Sequence, residues 1–232
     1  MQMIEHLALL TYWDAVAAAF LICAYFLLGW MIEHSPKSRP SVTKIMSENR
    51  REWLRVFVTR DPRIFDSQIM GSLRQGTAFF ASTCIFAIGG VFALIANTDP
   101  LRGVAAEIST EDIPIVVWQV KLGLVALMLS NGFLKFVWAN RIFGYCSVMM
   151  AAVPNDPDHP EALPRALQAA ELNIRAAINF NRGLRSMYFA LGGLAWLIGS
   201  APFLGATAAV IWLIWSREFA SLPRDILLGK YP

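Results

Sequence analysis

The sequence predicts an all-α fold: a polytopic membrane protein with four transmembrane helices, plus cytosolic or interfacial amphipathic helices. Thr77 to Ala96 is a run of 20 residues without a charge. A helix of that length rises about 30 Å, the thickness of a bilayer's hydrocarbon core. Composition agrees, with 56% hydrophobic and 16% charged residues, where an average soluble domain carries about 25% charged. The chain of 232 residues reads as a single membrane domain with spans at about 7–32, 77–96, 114–134 and 187–215. Amphipathic connectors occupy about 41–58 and 161–185.

The first span, Leu7 to Ile32, is flanked by Trp13 and Trp30, which fit interfacial aromatic belts, and Asp14 interrupts it near its start. No Lys or Arg precedes it, so the basic region of a signal peptide is missing. Pro36 and Pro40 then break the chain, and Ser41 can cap a helix. Val42, Ile45, Met46, Trp53, Val56 and Phe57 form one stripe at helical spacing, with Lys44, Arg50, Arg51 and Arg55 largely off it. Such a helix lies flat at the inner membrane face, or packs on the protein's other cytosolic parts.

Asp61-Pro62 reads as an N-cap with proline at the first helical position, opening the second spanning helix. Arg63, Asp66, Gln68, Arg74 and Gln75 crowd its approach to the membrane. Ser109 to Asp112 resembles a capping box ahead of the third span. That span begins near Pro114, and its periodicity continues to Met150. Unbroken, about 37 residues would reach about 55 Å, well past the bilayer. The PNDPDHP stretch at 154–160 ends it. Leu163, Leu167, Ala170, Ile174 and Ile178 then form a second stripe. The fourth span, Met187 to Trp215, should kink at Pro202, where proline removes a backbone bond; a re-entrant hairpin there would put the tail inside.

Bases set the orientation. Lys37, Arg39, Lys44, Arg50, Arg51, Arg55, Arg60, Arg63 and Arg74 follow the first span, and Lys135, Arg141, Arg165, Arg175, Arg182 and Arg185 the third. Between the second and third stands Arg102 alone. The positive-inside rule puts the first and third connectors in the cytoplasm and both termini outside, although Arg217, Arg224 and Lys230 in the tail pull the other way.

A net charge of +3 without any nucleic-acid motif gives no reason to expect DNA or RNA as partner. Cys23, Cys84 and Cys146 are most simply buried thiols, and His6, His34 and His159 are scattered, so neither a metal nor a cofactor is expected. No nucleophile beside a His, no P-loop and no HExxH motif is visible, so no catalytic residue is assigned.

Two stretches look familiar together: Arg63-Ile-Phe-Asp66-Ser-Gln68-Ile-Met-Gly-Ser-Leu-Arg74-Gln75-Gly76-Thr-Ala-Phe-Phe-Ala-Ser, and Asn181-Arg182-Gly183-Leu184-Arg185-Ser-Met-Tyr188-Phe189-Ala190. With Lys135-Phe-Val-Trp138 and Tyr145-Cys146-Ser147 they resemble a bacterial family of membrane proteins, domain-of-unknown-function family 599, from about Trp30 to Trp215. The resemblance implies a polytopic membrane protein and lends no activity; the expected location is the bacterial inner membrane.

Arg63, Asp66, Gln68, Arg74, Gln75, Arg182 and Arg185 share one depth at the cytosolic boundary. Snorkelling and topology account for the bases but not for the amides and Asp66 among them. A set of this kind cross-links helix ends, or binds an anionic headgroup or partner through the guanidinium fork. Asp14 and Lys121 lie at matched depth in spans one and three and are expected to pair within the membrane. The reading is a non-enzymatic binding or assembly subunit with phospholipid and a homo-oligomer or larger membrane complex as partners. A homo-oligomeric channel or transporter is the alternative, and a membrane enzyme acting on lipid the third. Small residues such as Gly89, Gly90, Gly192 and Gly193 permit close helix approach.

Overall fold

The computed structural model describes residues 11–97 and 114–230, and every regular element among them is helical. In chain order these are α1 (Tyr12–Glu33), α2 (Val42–Phe57), α3 (Ile64–Ala96), α4 (Ile115–Ala151), α5 (Ala162–Leu194), a 3-10 turn (Ala195–Leu197), α6 (Ser200–Phe219) and α7 (Leu222–Leu227). The Leu7 start of the first span, His6, Arg102, the Ser109–Asp112 capping box and both chain ends lie outside the described residues. Helices α1, α3, α4 and the stretch Ser200–Leu227 are each long and apolar enough to cross a membrane. Phe79 and Phe86 on α3 are 65% and 79% exposed, which water penalises and lipid does not.

Local signals place most boundaries. Ser41 caps α2, its hydroxyl accepting from Lys44 N at 3.2 Å while donating to Ile32 O at 2.8 Å. Helix α4 runs 37 residues without a break, as its periodicity predicts. Two boundaries differ. Helix α3 begins at Ile64, past a cis Asp61–Pro62 bond, and not at Pro62; Arg63 just before it is drawn to carbonyls elsewhere in the chain (below).

The second correction concerns the expected single kinked span at 187–215. Helix α5 runs through the connector into that span and stops at Leu194; Gly199, at φ +155°, turns the chain, and α6 starts afresh at Ser200. Pro202 therefore sits in a first turn, where its missing N–H leaves no bond broken, so it does not kink a helix. The two helices pack closely, since a Cβ on Gly192 would lie 3.2 Å from Val210.

The chain divides into two compact units. The span unit takes its described residues from within Met1–Trp30, Thr83–Gly132 and Leu184–Trp215. Asn131 is its polar centre, donating to Tyr25 at 2.8 Å and Ser186 at 2.7 Å, so α1, α4 and α5 are joined by groups that would be costly to leave unpaired in lipid. The connector unit takes Met31–Ser82, Phe133–Gly183 and the tail from Ser216. Its core packs Leu54, Phe57 and Met70 against Ile142, Phe143 and Cys146 of α4 and Ala162, Ala166, Ala169 and Ala170 of α5.

Helix α2 thus spends much of its apolar stripe on the protein, with Val56 left 43% exposed. On α5 the expected stripe is buried at Ala170 and Ile174, beside Ala162, Ala166 and Ala169, while its Leu163 is 47% exposed. Alanine permits close approach: Cys146 Sγ lies 3.2 Å from Ala169 O. Cys84 and Cys146 are buried free thiols as expected, whereas Cys23 is exposed.

Gly183 of α5 is the tightest point of the connector unit, because a Cβ there would lie 2.7 Å from the ring of Phe136. That ring is fully buried and wedged between Phe80 and Phe180 at 5.5 Å each, so it cannot retreat. Gly183→Ala is expected to destabilise by about 1–3 kcal/mol despite the better helix propensity of alanine, lowering Tm in detergent by about 3–10 °C. Gly144→Ala, with open space around its Cβ, should be neutral or stabilising. Equal melting of the two variants would contradict the packing described.

Candidate functional site

The elbow between α2 and α3 is fixed by a carboxylate. Asp66, in the first turn of α3, is fully buried. Its Oδ1 accepts from Trp53 Nε1 and from the Arg60 guanidinium, both at 2.6 Å, and its Oδ2 is buried without a partner among the described residues. Arg63 lies across the elbow with its guanidinium 4.4 Å from the Phe57 ring centre. It donates to Val153 O and Pro154 O at 2.9 Å and to Val58 O at 3.3 Å. Those first two carbonyls follow the end of α4, where a helix leaves acceptors unsatisfied. Arg165 adds a bond to Ala152 O at 2.9 Å.

Other charges of the connector unit are also tied. Arg182 forks onto Glu33, Nε to Oε1 at 2.9 Å and Nη2 to Oε2 at 2.5 Å. Glu218, near the end of α6, accepts from Thr43 N at 2.9 Å and Thr43 Oγ1 at 2.8 Å, and Arg224 of α7 reaches Pro40 O at 3.0 Å. Arg51 bonds Glu171 and Glu48, and the Glu171 hydrogen bond in particular raises its pKa.

Arg74 differs. It is exposed and, among the described residues, has neither a hydrogen bond nor an ion pair. It borders a cavity of about 460 Å³ together with Arg63, Ser67, Ser147, Asn155 and the apolar Met70. Two guanidinium groups, hydroxyls and an apolar wall suit a phosphate or carboxylate attached to something greasy.

The seven candidate binding residues are therefore divided. Arg63 and Arg74 share the cavity; Asp66 belongs to Arg60 and Trp53; Arg182 belongs to Glu33. Gln68 and Gln75 are exposed, without hydrogen bonds among the described residues. Arg185 falls in the span unit, 6% exposed, packed over Gly29. In the same unit Asp14 accepts from Trp196 Nε1 at 2.6 Å, from Ser200 at 3.2 Å and from Thr11. Lys121, 5% exposed, lies 5.9 Å from the Trp196 ring and 5.8 Å from that of Trp118. No direct ion pair joins Asp14 and Lys121 among the described residues; each instead lies against Trp196.

Sequence reasoning missed Trp53, Glu33, Asn173 and Glu218 as partners. The indole of Trp53 reads as one more apolar side chain on a stripe, although its N–H demands an acceptor when buried. Glu33 closing a span was a usable signal, since an acid at a boundary crowded with bases is an obvious counter-ion.

Removing the Asp66 carboxylate leaves Trp53 and Arg60 without their acceptor. Breaking a fully buried pair costs about 3–5 kcal/mol. Arg60 is 31% exposed, so water recovers part of this, and Asp66→Ala is expected to cost about 2 kcal/mol or more, lowering Tm by about 4 °C or more. Asp66→Ala melting with wild type would remove the carboxylate from its place at the elbow.

Compared with known proteins, the chain matches no curated protein and no solved structure. Its residues 16–223 match one family, described as "Protein of unknown function, DUF599", and they cover most of the sequence. With helices long and apolar enough to cross a membrane and that match over nearly its whole length, the chain belongs to the DUF599 family.

Proposed function

We propose that this chain is a non-enzymatic binding or assembly protein of the bacterial inner membrane, which holds anionic, phosphate-bearing headgroups in the cavity of Arg63 and Arg74. The observation that carries the reading is Arg74, a guanidinium left without a partner among the described residues of a unit whose other arginines are largely tied. Arg63 is fixed by three carbonyls, so the cavity presents one rigid and one free cation. A headgroup is favoured over a bare ion because Phe57, Met70 and Met150 supply an apolar side. Exposed Gly89 and Gly90 on α3 leave room for close helix approach in a larger assembly.

In the topology this reading adopts, the basic connectors face the cytoplasm. The reading takes the tail with them and not outside, and the bonds of Glu218 to Thr43 and of Arg224 to Pro40 in the first connector support it. Single cysteines at Lys44 and at Lys230, in a variant without native cysteines, should be labelled from the cytoplasmic side alone. Labelling of the two from opposite sides would overturn the hairpin topology.

The binding test is native mass spectrometry of the full chain with phosphatidylglycerol against phosphatidylcholine. Loss of one charged hydrogen-bonding group is worth about 1.5 kcal/mol or more, so Arg74→Gln should weaken phosphatidylglycerol retention about tenfold. Arg55→Gln, at an exposed arginine already paired with Glu52, should not. Equal behaviour of the two variants, or no preference for the anionic lipid, would contradict the proposal.

A further inference from the structure

A second cavity, of about 360 Å³, lies in the connector unit and shares no lining residue with the first. Helices α2, α3, α4 and α5 wall it, largely with apolar groups such as Phe143, Ile178 and Phe180. Its one cation is Arg50 and its one anion Glu218. Both oxygens of Glu218 are already engaged by Thr43, and no ion pair joins Glu218 to Arg50 among the described residues.

Arg50 has an unusual position for an arginine. Its single hydrogen bond among the described residues runs from Nη1 to Asn173 Oδ1. Asn173 is fully buried and cannot swing away, because its amide nitrogen lies 3.2 Å from Met70 Sδ and 3.7 Å from Cys146 Sγ. A neutral amide thus aims the guanidinium without neutralising it. Burial lowers the pKa of Arg50, and no neighbouring carboxylate offsets that. Arg50 is half-buried, so water meets its guanidinium only in part, and four of its five N–H donors have no partner among the described residues. The cavity beside it is at the small end of ligand-site volumes.

We infer that Arg50 is the anchor of a second anion site, which takes a carboxylate or phosphoryl group borne on a small apolar body. The guanidinium fork meets the two oxygens of such a group, and Phe143, Ile178 and Phe180 cover its hydrocarbon part. Glu218 on the same wall disfavours a highly charged polyanion. The chemistry is common to a free organic anion and to a lipid headgroup with the start of its chain, and the test separates these sources.

The experiment is thermal unfolding of the full chain in non-ionic detergent with three probes: inorganic phosphate, sodium octanoate, and micelles carrying phosphatidylglycerol, with phosphatidylcholine micelles as reference. At about a hundredfold excess over Kd, Tm should rise by about 5–10 °C with octanoate or with phosphatidylglycerol. Octanoate alone points to a free anion and phosphatidylglycerol alone to a headgroup; either supports the site. Because the first cavity is itself proposed to hold phosphatidylglycerol, the rise is read in the Arg74→Gln background, where it should persist, and it should vanish when Arg50→Gln is added. Gly76→Leu keeps Arg50 and fills the cavity from a position with open space around its Cβ, so it should lose the rise too, and it decides the matter if Arg50→Gln does not fold. No rise with octanoate or phosphatidylglycerol, a rise with phosphate alone, or a rise in the Arg74→Gln background that survives both Arg50→Gln and Gly76→Leu would overturn the inference.

Discussion

A carboxyl group with no access to water costs several kcal/mol unless donors meet it, and the connector unit is arranged so that two do. Trp53 near the end of α2 and Arg60 in the turn converge on one oxygen of Asp66 in the first turn of α3. That fixes the direction in which α3 leaves α2. Arg63 then reaches back to the carbonyls after α4, so one short stretch ties three helices. Neither cavity would keep its shape if this elbow were loose, since α2 and α3 contribute residues to both.

The arginines divide by what they meet. Arg60 and Arg182 find carboxylates, Arg63 finds carbonyls, and Arg165 finds both Glu161 and the Ala152 carbonyl. Arg74 finds nothing within the described chain, and Arg50 finds one neutral amide. Both border cavities with apolar walls. Exposed Arg175 is also without a side-chain partner among the described residues but borders neither cavity, so what sets Arg50 and Arg74 apart is the cavity beside each.

What the sequence made legible is what depends on neighbours along the chain. The uncharged run ending at Ala96, the Ser41 cap and the unbroken length of α4 are local properties, and they appear where periodicity and capping put them. The hairpin after Leu194 was legible only as an alternative to a kinked span, because a proline in a first turn and a proline in mid-helix look alike until the turn at Gly199 is seen. The site was legible in residue type but not in pairing. Arg182 meets Glu33 across 149 positions, and Arg185, three residues on, belongs to the other compact unit. On α5 the stripe's Ala170 is buried as expected, but Leu163 lost the core to Ala166 and Ala169, because close approach of α4 favours small side chains over greasy ones.

The central claim is that two guanidinium groups in this chain await an anion that the protein does not itself provide. An experimental density map of the protein purified in its native lipids tests it most directly. The predicted result is non-protein density within hydrogen-bonding distance of the Arg50 and Arg74 guanidinium groups, continuing along the apolar wall of each cavity. Cavities closed by side-chain movement, with Arg50 on Glu218 and Arg74 turned onto a protein carboxylate, would contradict it.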